Sequence, residues 1–252
     1  MGEQGKQGGI TFEAVVKGVA ARFVRGAAHA VLDFIFPPTC LSCTATLITG
    51  RQRICDSCWD SIERVTPVSS LYVETRDKLA ASGQVERLVS LFVFEKEGAF
   101  QHIAHALKYN GYESLGVELG RRLGEAFLGM GEEGDVLVPI PLHKRKFRER
   151  GYNQAERIAH GVSRVTSIPV RTDLLRRTRF TQSQTTLTLE ERKKNMEAAF
   201  EVMPGKEREL KGMTIILIDD VITTGATIVA CAATLRDAGA LRIVASSAAL
   251  AC

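Results

Sequence analysis

The sequence predicts an α/β protein, a parallel sheet flanked by helices, with a small cysteine module ahead of it. Three observations carry that expectation. Ile215-Ile216-Leu217-Ile218 is an apolar run with no polar alternation, the pattern of a strand buried on both faces. Strand-like and helix-like segments alternate through the second half of the chain, which implies a parallel sheet covered on both sides. Two Cys-x-x-Cys pairs, Cys40/Cys43 and Cys55/Cys58, fall within one short segment that lacks apolar residues enough for a core of its own.

Taken in order, apolar residues from Val15 to Leu32 recur at helical spacing, so residues 12–34 read as an amphipathic helix within an N-terminal segment, 1–36. Pro37-Pro38 ends it and opens the cysteine module, 37–66. Val85–Phe94 reads as a strand, Phe100–Tyr109 as a helix broken by Gly111, and 113–128 as a second helix. After the turn Gly129–Gly134 the pattern runs strand 135–140, basic loop, helix 152–165 and a strand near 168–175. A long polar loop, 178–197, precedes strands 198–203 and 214–219, helix 227–238 and strand 241–248.

The composition is that of an ordinary globular chain: 252 residues, 45% hydrophobic and 25% charged. A formal charge of +4 is too small to mark a nucleic-acid binder by itself. Its distribution matters more, because five of the eight residues from His143 to Arg150 are Lys or Arg. Residues 1–11 are polar and Gly-rich, unlike a secretion signal, and Lys17, Arg22, Arg25 and His29 interrupt the apolar stretch that follows, so no membrane span is expected. A cytoplasmic location follows as the default. There, six cysteines argue for metal binding over a disulfide framework.

The stretch Ile215–Thr227 carries the most chemistry. Asp219-Asp220 follow the apolar run at the carboxyl end of a strand, where open α/β sheets place their ligands. Thr223-Thr224-Gly225-Ala226-Thr227 then lead into a helix, whose first amides and dipole suit a phosphate. Gly225 permits close backbone approach. Two carboxylates beside a phosphate cradle need another partner, and sugar hydroxyls or a magnesium ion with its waters would satisfy them. The plainer alternative is a capped strand-to-helix turn with acids complementing the dipole.

In the basic loop, His143, Lys144, Arg145, Lys146, Arg148 and Arg150 can neutralise a polyanion. Pyrophosphate, single-stranded nucleic acid stacked on Phe147 and Tyr152, and a merely solvated surface all fit a run of this kind. The polar loop 178–197 is of a length that is uncommon unless functional or disordered, and its plain reading is an exposed connection. Eleven residues separate Cys43 from Cys55, a spacing that suits a compact zinc knuckle-hairpin with Ile48 and Trp59 packed over it. A redox pair and inert buried cysteines are the alternatives. Four protein ligands would close the site, making such a zinc structural. Cys231 lies on an apolar helix face and reads as core.

Four apolar residues, an acidic pair and Thr-Thr-Gly-Ala-Thr resemble the signature by which type I phosphoribosyltransferases bind phosphoribosyl pyrophosphate (PRPP). With the wider set of motifs, the chain resembles the ComF family of the ComFC type. Those motifs are Asp33–Pro38 with the four cysteines, His105-Ala106-Leu107-Lys108-Tyr109-Asn110-Gly111, Pro139–His143 through Arg150–Glu156, and Gln184 with Arg192 and Asn195. The resemblance implies a zinc ribbon joined to a type I phosphoribosyltransferase domain, 67–252, with a hood at about 67–130 and a core at 131–252. It implies that Asp219 and Asp220 face the ribose hydroxyls while Val221, Ile222 and Thr223–Thr227 wrap the 5′-phosphate. It implies pyrophosphate at the basic loop, magnesium with PRPP, and a lid containing Gln184, Arg192 and Asn195. A pentosyltransferase activity and a link to the competence machinery and internalised single-stranded DNA are likewise implied. The alternative is a non-catalytic DNA-binding or scaffold protein on the same fold.

Overall fold

The computed structural model describes residues 37–47, 52–178 and 199–251. The expected helix at 12–34, and Gln184, Arg192 and Asn195 of the polar loop, lie outside the described residues.

Four parallel strands form the central sheet: β1 (Arg87–Phe94), β2 (Val136–Pro139), β5 (Thr214–Ile222) and β6 (Arg242–Ala251), in the order β1-β6-β5-β2. The apolar run of β5 is buried on both faces, as its lack of alternation predicts. Ile216 and Ile218 enter one core, and Ile215 and Leu217 enter the other. The first core is capped by α3 (Ala99–Tyr109), α4 (Glu113–Met130) and α6 (Gln154–Thr166). The second is covered by α2 (Ser70–Ala80) and α7 (Ala226–Asp237).

Helices α4 and α6 cross with their backbones in contact. A Cβ placed on Gly120 would sit 2.0 Å from the Ile158 carbonyl oxygen, and one on Gly161 would sit 2.3 Å from that of Val117. Glycine at both positions lets Leu119, Leu123 and Phe127 of one helix bury completely beside Ile158 and Val162 of the other.

The structure differs from the sequence expectations in three places. The basic segment is a helix, α5 (Lys144–Arg150), not a loop. Lys, Arg and Glu are good helix formers. The His143 side chain caps its start by accepting from the Arg145 amide at 3.2 Å, and Gly151, at φ 80°, ends it in the left-handed conformation. The strand expected near 168–175 shrinks to a single bridge between Val170 and Leu137 and a three-residue strand, β3 (Leu175–Arg177). That strand pairs antiparallel with β4 (Phe200–Val202), outside the main sheet. Finally, β5 continues through the acidic pair to Ile222, because Val221 and Ile222 keep their register with Ala249 and Leu250 of β6.

The cysteine module includes a short helix, α1 (Asp56–Asp60), and docks through Trp59. The indole is fully buried, stacks on Phe92 of β1 at 5.7 Å, and donates its Nε1 proton to Glu118 of α4 at 2.7 Å. Arg122 of α4 lies 4.4 Å above the same ring. Burial pushes the Glu118 carboxyl upward, against the opposing donation from Trp59.

Candidate phosphoribosyl site and cysteine cluster

The acidic pair stands near the carboxyl end of β5, beside the loop Thr223–Gly225 and the start of α7. Asp219 Oδ1 accepts from the Asp220 amide at 2.8 Å, and Asp220 Oδ1 accepts from the Val221 amide at 2.9 Å. Burial, then the neighbouring Asp220 charge, raise the Asp219 carboxyl to about 8. Thr223 and Thr224 are exposed, and Gly225 is buried with φ 76° as the residue that precedes α7. A Cβ there would come within 2.8 Å of Leu79 Cδ2, so the loop is packed tightly onto α2. Gly225 has no side chain with which to cap α7. Thr224 Oγ1 accepts from the Ala226 amide at 3.4 Å, a long bond that an oxyanion at the start of the helix could replace.

Helical geometry divides the basic residues. Lys146 and Arg150, four apart on α5, are the half-buried ones, whereas Lys144, Arg145 and Arg148 are exposed. Burial, then the like charges of Arg150, Arg177 and Lys108, hold the Lys146 ammonium below its ordinary range against the pull of Asp220. Arg150 donates to Gln154 Oε1 at 2.9 Å and lies 5.7 Å over the Tyr109 ring. The segment after α5 is built to hold this geometry. Asn153 donates from Nδ2 to the Ile140 carbonyl at 3.0 Å and accepts at Oδ1 from the Ala155 amide at 3.1 Å, tying β2 to the start of α6.

Two cations that the sequence motifs did not assign to the site complete it. Lys108, in the last turn of α3, places Nζ 2.8 Å from Asp220 Oδ2. Arg177, on β3, lies 5.2 Å over the Phe200 ring. Its guanidinium is pulled downward by burial, opposed by Cys231 and Asp219. Cys231 is fully buried in the second core, as expected from its apolar helix face, and burial raises its thiol well above the ordinary range. The acidic pair thus interacts with Lys108, Lys146 and Arg177, with Arg150 close to Lys146, a surplus of positive charge suited to a polyanion. Lys108 stood within the His105–Gly111 motif and Arg177 at the head of the polar loop. Neither position carried a signal of its own beyond charge.

The four cysteines converge. The Sγ atoms of Cys40, Cys43, Cys55 and Cys58 all lie within 4.8 Å of one another, and Cys43 Sγ is 3.7 Å from Cys55 Sγ. Thiolates placed about 2.3 Å from a tetrahedral zinc are roughly 3.8 Å apart, so this set fits the ion. Backbone amides of Ser42 and Cys55 point at Cys40 Sγ at 3.4 and 3.3 Å, a turn geometry that supports thiolate charge. It is the sole such cluster of possible metal ligands among the described residues. Among those residues no helix is long and apolar enough to cross a membrane.

A parallel sheet with helices on both faces, an acidic strand end and a cysteine cluster define a phosphoribosyltransferase-type α/β protein with a zinc-ribbon module. Comparison with known families agrees: residues 31–69 match the double zinc ribbon domain, and residues 148–251 match the phosphoribosyl transferase domain. The chain is 33% identical over 105 residues to Competence protein F of Haemophilus influenzae, covering 42% of this chain and 45% of that protein. It is 40% identical over 112 residues to Competence protein ComFC of Bacillus subtilis, covering 44% and 42%. Against DNA utilization protein YhgH of Escherichia coli K12, the identity is 26% over 225 residues, 82% of this chain and 94% of that one. The chain is thus similar to these competence and DNA utilization proteins, and it joins a stretch like a double zinc ribbon to one like a phosphoribosyl transferase domain. Its match spans less than half of the first relative's length. Among solved structures, glutamine PRPP amidotransferase of B. subtilis superposes with a TM-score of 0.36 at 20% identity, over 52% of this chain and 25% of that one. That likeness is too loose to add to the strand order.

Proposed function

We propose that this protein binds magnesium-PRPP at the end of β5 and acts as a phosphoribosyltransferase-type protein in competence and DNA use. The observation that carries the reading is the placement of Asp219 and Asp220 next to the glycine-led start of α7, with Lys108 paired to Asp220 and Lys146 within its field. A ligand with a phosphate at one end, a diol in the middle and a pyrophosphate at the other meets each of these groups in turn. Thr223–Thr227 with the first amides of α7 hold the 5′-phosphate, the carboxylates take the ribose hydroxyls, and the inward face of α5 takes pyrophosphate. In a transfer reaction the C1′–O bond to pyrophosphate breaks with its electron pair leaving on that group, while a nucleophile's pair bonds C1′. Charge stabilisation of the leaving group supplies the catalysis, and no general acid is needed. Magnesium would be brought by the ligand, and the hard carboxylate oxygens of Asp219 and Asp220 are the groups that would face it or its waters. The names of the relatives, which speak of competence and DNA utilization, support the cellular setting, and a cytoplasmic location fits it. A structural zinc at Cys40, Cys43, Cys55 and Cys58 completes the proposal, along with a division into the ribbon module, 37–66, and the transferase domain, 67–252.

Calorimetric titration with magnesium-PRPP tests it. Wild type should bind, and Asp219→Asn with Asp220→Asn should abolish binding; an unchanged affinity sinks the assignment. A second reading rests on the outward face of α5, where Lys144, Arg145 and Arg148 are exposed. If that face holds single-stranded DNA, affinity falls steeply with salt, and replacing the three by Ala flattens the slope.

A further inference from the structure

The ion pair between Lys108 and Asp220 bears on how the proposed site recognises its ligand. Lys108 Nζ is 2.8 Å from Asp220 Oδ2, with the two side chains 25% and 16% exposed. The other oxygen, Oδ1, already accepts from the Val221 amide at 2.9 Å. Oδ1 is thus hydrogen-bonded, whereas the buried Oδ2 has no hydrogen bond and is met by the Lys108 charge alone. The helix that carries Lys108 is anchored, since the Tyr152 hydroxyl donates to the Leu107 carbonyl in the buried interior. Ile103, Ala104 and Leu107 are buried in the same helix. Tyr152 belongs to the turn between α5 and α6, so α3 and α5 are fixed to one another. Arg150, at the end of α5, lies 5.7 Å over the ring of Tyr109, the residue next to Lys108, so the end of α3 sits beside the basic helix.

We propose that Lys108 is a phosphate-binding residue of this site, directed by Asp220 at the pyrophosphate end of the ligand. An ammonium has three donors. Asp220 holds it by charge, which leaves N–H donors for phosphate oxygens on the side where Arg150 lies over the neighbouring Tyr109 ring. Asp220 then serves as a positioning residue for Lys108 in addition to any contact with ribose. This inference rests on the PRPP reading and assigns a residue outside the strand-helix loop and the basic helix.

The test is calorimetry on the full chain with three probes: magnesium-PRPP, inorganic pyrophosphate and ribose 5-phosphate. In Lys108→Ala, affinity for pyrophosphate and for PRPP should fall by about tenfold or more, the loss expected for a charge-assisted hydrogen bond. Affinity for ribose 5-phosphate should stay within about twofold, because its phosphate binds at α7. Lys108→Arg should recover part of the loss, which a folding defect at that position would not predict. Asp220→Asn should weaken pyrophosphate binding as well, and adding it to Lys108→Ala should cost little more, as expected of residues acting together. The inference is overturned if Lys108→Ala keeps its pyrophosphate affinity while wild type binds PRPP, or if it loses both short probes equally. Wild type binding pyrophosphate but not PRPP, with Lys108→Ala impaired, would sink the PRPP reading and leave Lys108 as an anion-binding residue. Wild type binding neither overturns both.

Discussion

Replacing Gly120 by Ala tests whether the α4–α6 crossing holds the site in place. The added Cβ would lie 2.0 Å from the Ile158 carbonyl oxygen and 2.8 Å from Gly161 Cα, both backbone atoms that cannot rotate away. A carbon beside a carbonyl oxygen settles at about 3.3 Å, so the helices must part by roughly 1.3 Å locally. A radial gap of about 0.5–1 Å already forfeits a quarter to a half of the dispersion well between facing atoms. Leu119, Leu123, Phe127, Ile158 and Val162, all at 0% exposure, line this seam. Overpacking of this kind costs about 1–3 kcal/mol, and a backbone clash belongs at the upper end. The higher helix propensity of Ala returns about 1 kcal/mol, leaving a net loss near 2 kcal/mol. Urea unfolding followed by far-ultraviolet circular dichroism measures it. Gly129→Ala is the internal control: it sits on the same helix with nothing within 4 Å of the new Cβ, and should gain up to about 1 kcal/mol. If Gly120→Ala proves as stable as wild type, or gains as the control does, the backbones are not in contact and the reasoning fails.

Two further expectations follow from the acidic pair and the cysteine cluster. With Asp219 raised to about 8, the folded state retains a proton that an unfolded carboxyl, near about 3.9, has released. The unfolded state binds fewer protons in that window, so stability should decline as pH rises from about 4 to about 8. Asp219→Asn should remove this contribution, making the change in urea midpoint between pH 5 and pH 8 smaller than in wild type; equal changes would show an ordinary carboxyl. Removing zinc with a chelator should loosen the ribbon and wet Trp59, the chain's single tryptophan, shifting its fluorescence to the red. Emission unmoved by chelation, in protein shown to contain zinc, would mean that the ion does not hold the indole in place.

Much of the sheet was legible because its strands are buried on both faces and advertise themselves as apolar runs. β5 and β6 read from Ile215–Ile218 and from the segment 241–248, though their far ends were hidden. Asp219 and Asp220 look like a strand terminus in one dimension, whereas pairing with β6 carries the strand past them. The basic segment misled for a different reason. Its charges suggested a loop, yet the same residues are helix formers with a cap and a glycine stop, and only a helix separates Lys146 and Arg150 from Lys144, Arg145 and Arg148. Lys108 and Arg177 could not be assigned to the site from spacing, since each reaches it from an element distant in sequence. Their roles depend on the Tyr152 contact to α3 and on the β3–β4 pairing.

The strand order β1-β6-β5-β2 also bears on what part of this chain can exist alone. The stretch that matches the phosphoribosyl transferase domain begins at residue 148, downstream of both outer strands of the sheet. A polypeptide cut there would retain β5 and β6 but leave each with a bare, hydrogen-bonding edge, flanked by the apolar faces that α3 and α4 normally cover. Such a fragment has the makings of an aggregate. The segment most easily recognised by descent is thus smaller than the segment that folds, and an expression boundary drawn by similarity would cut through the hydrophobic core.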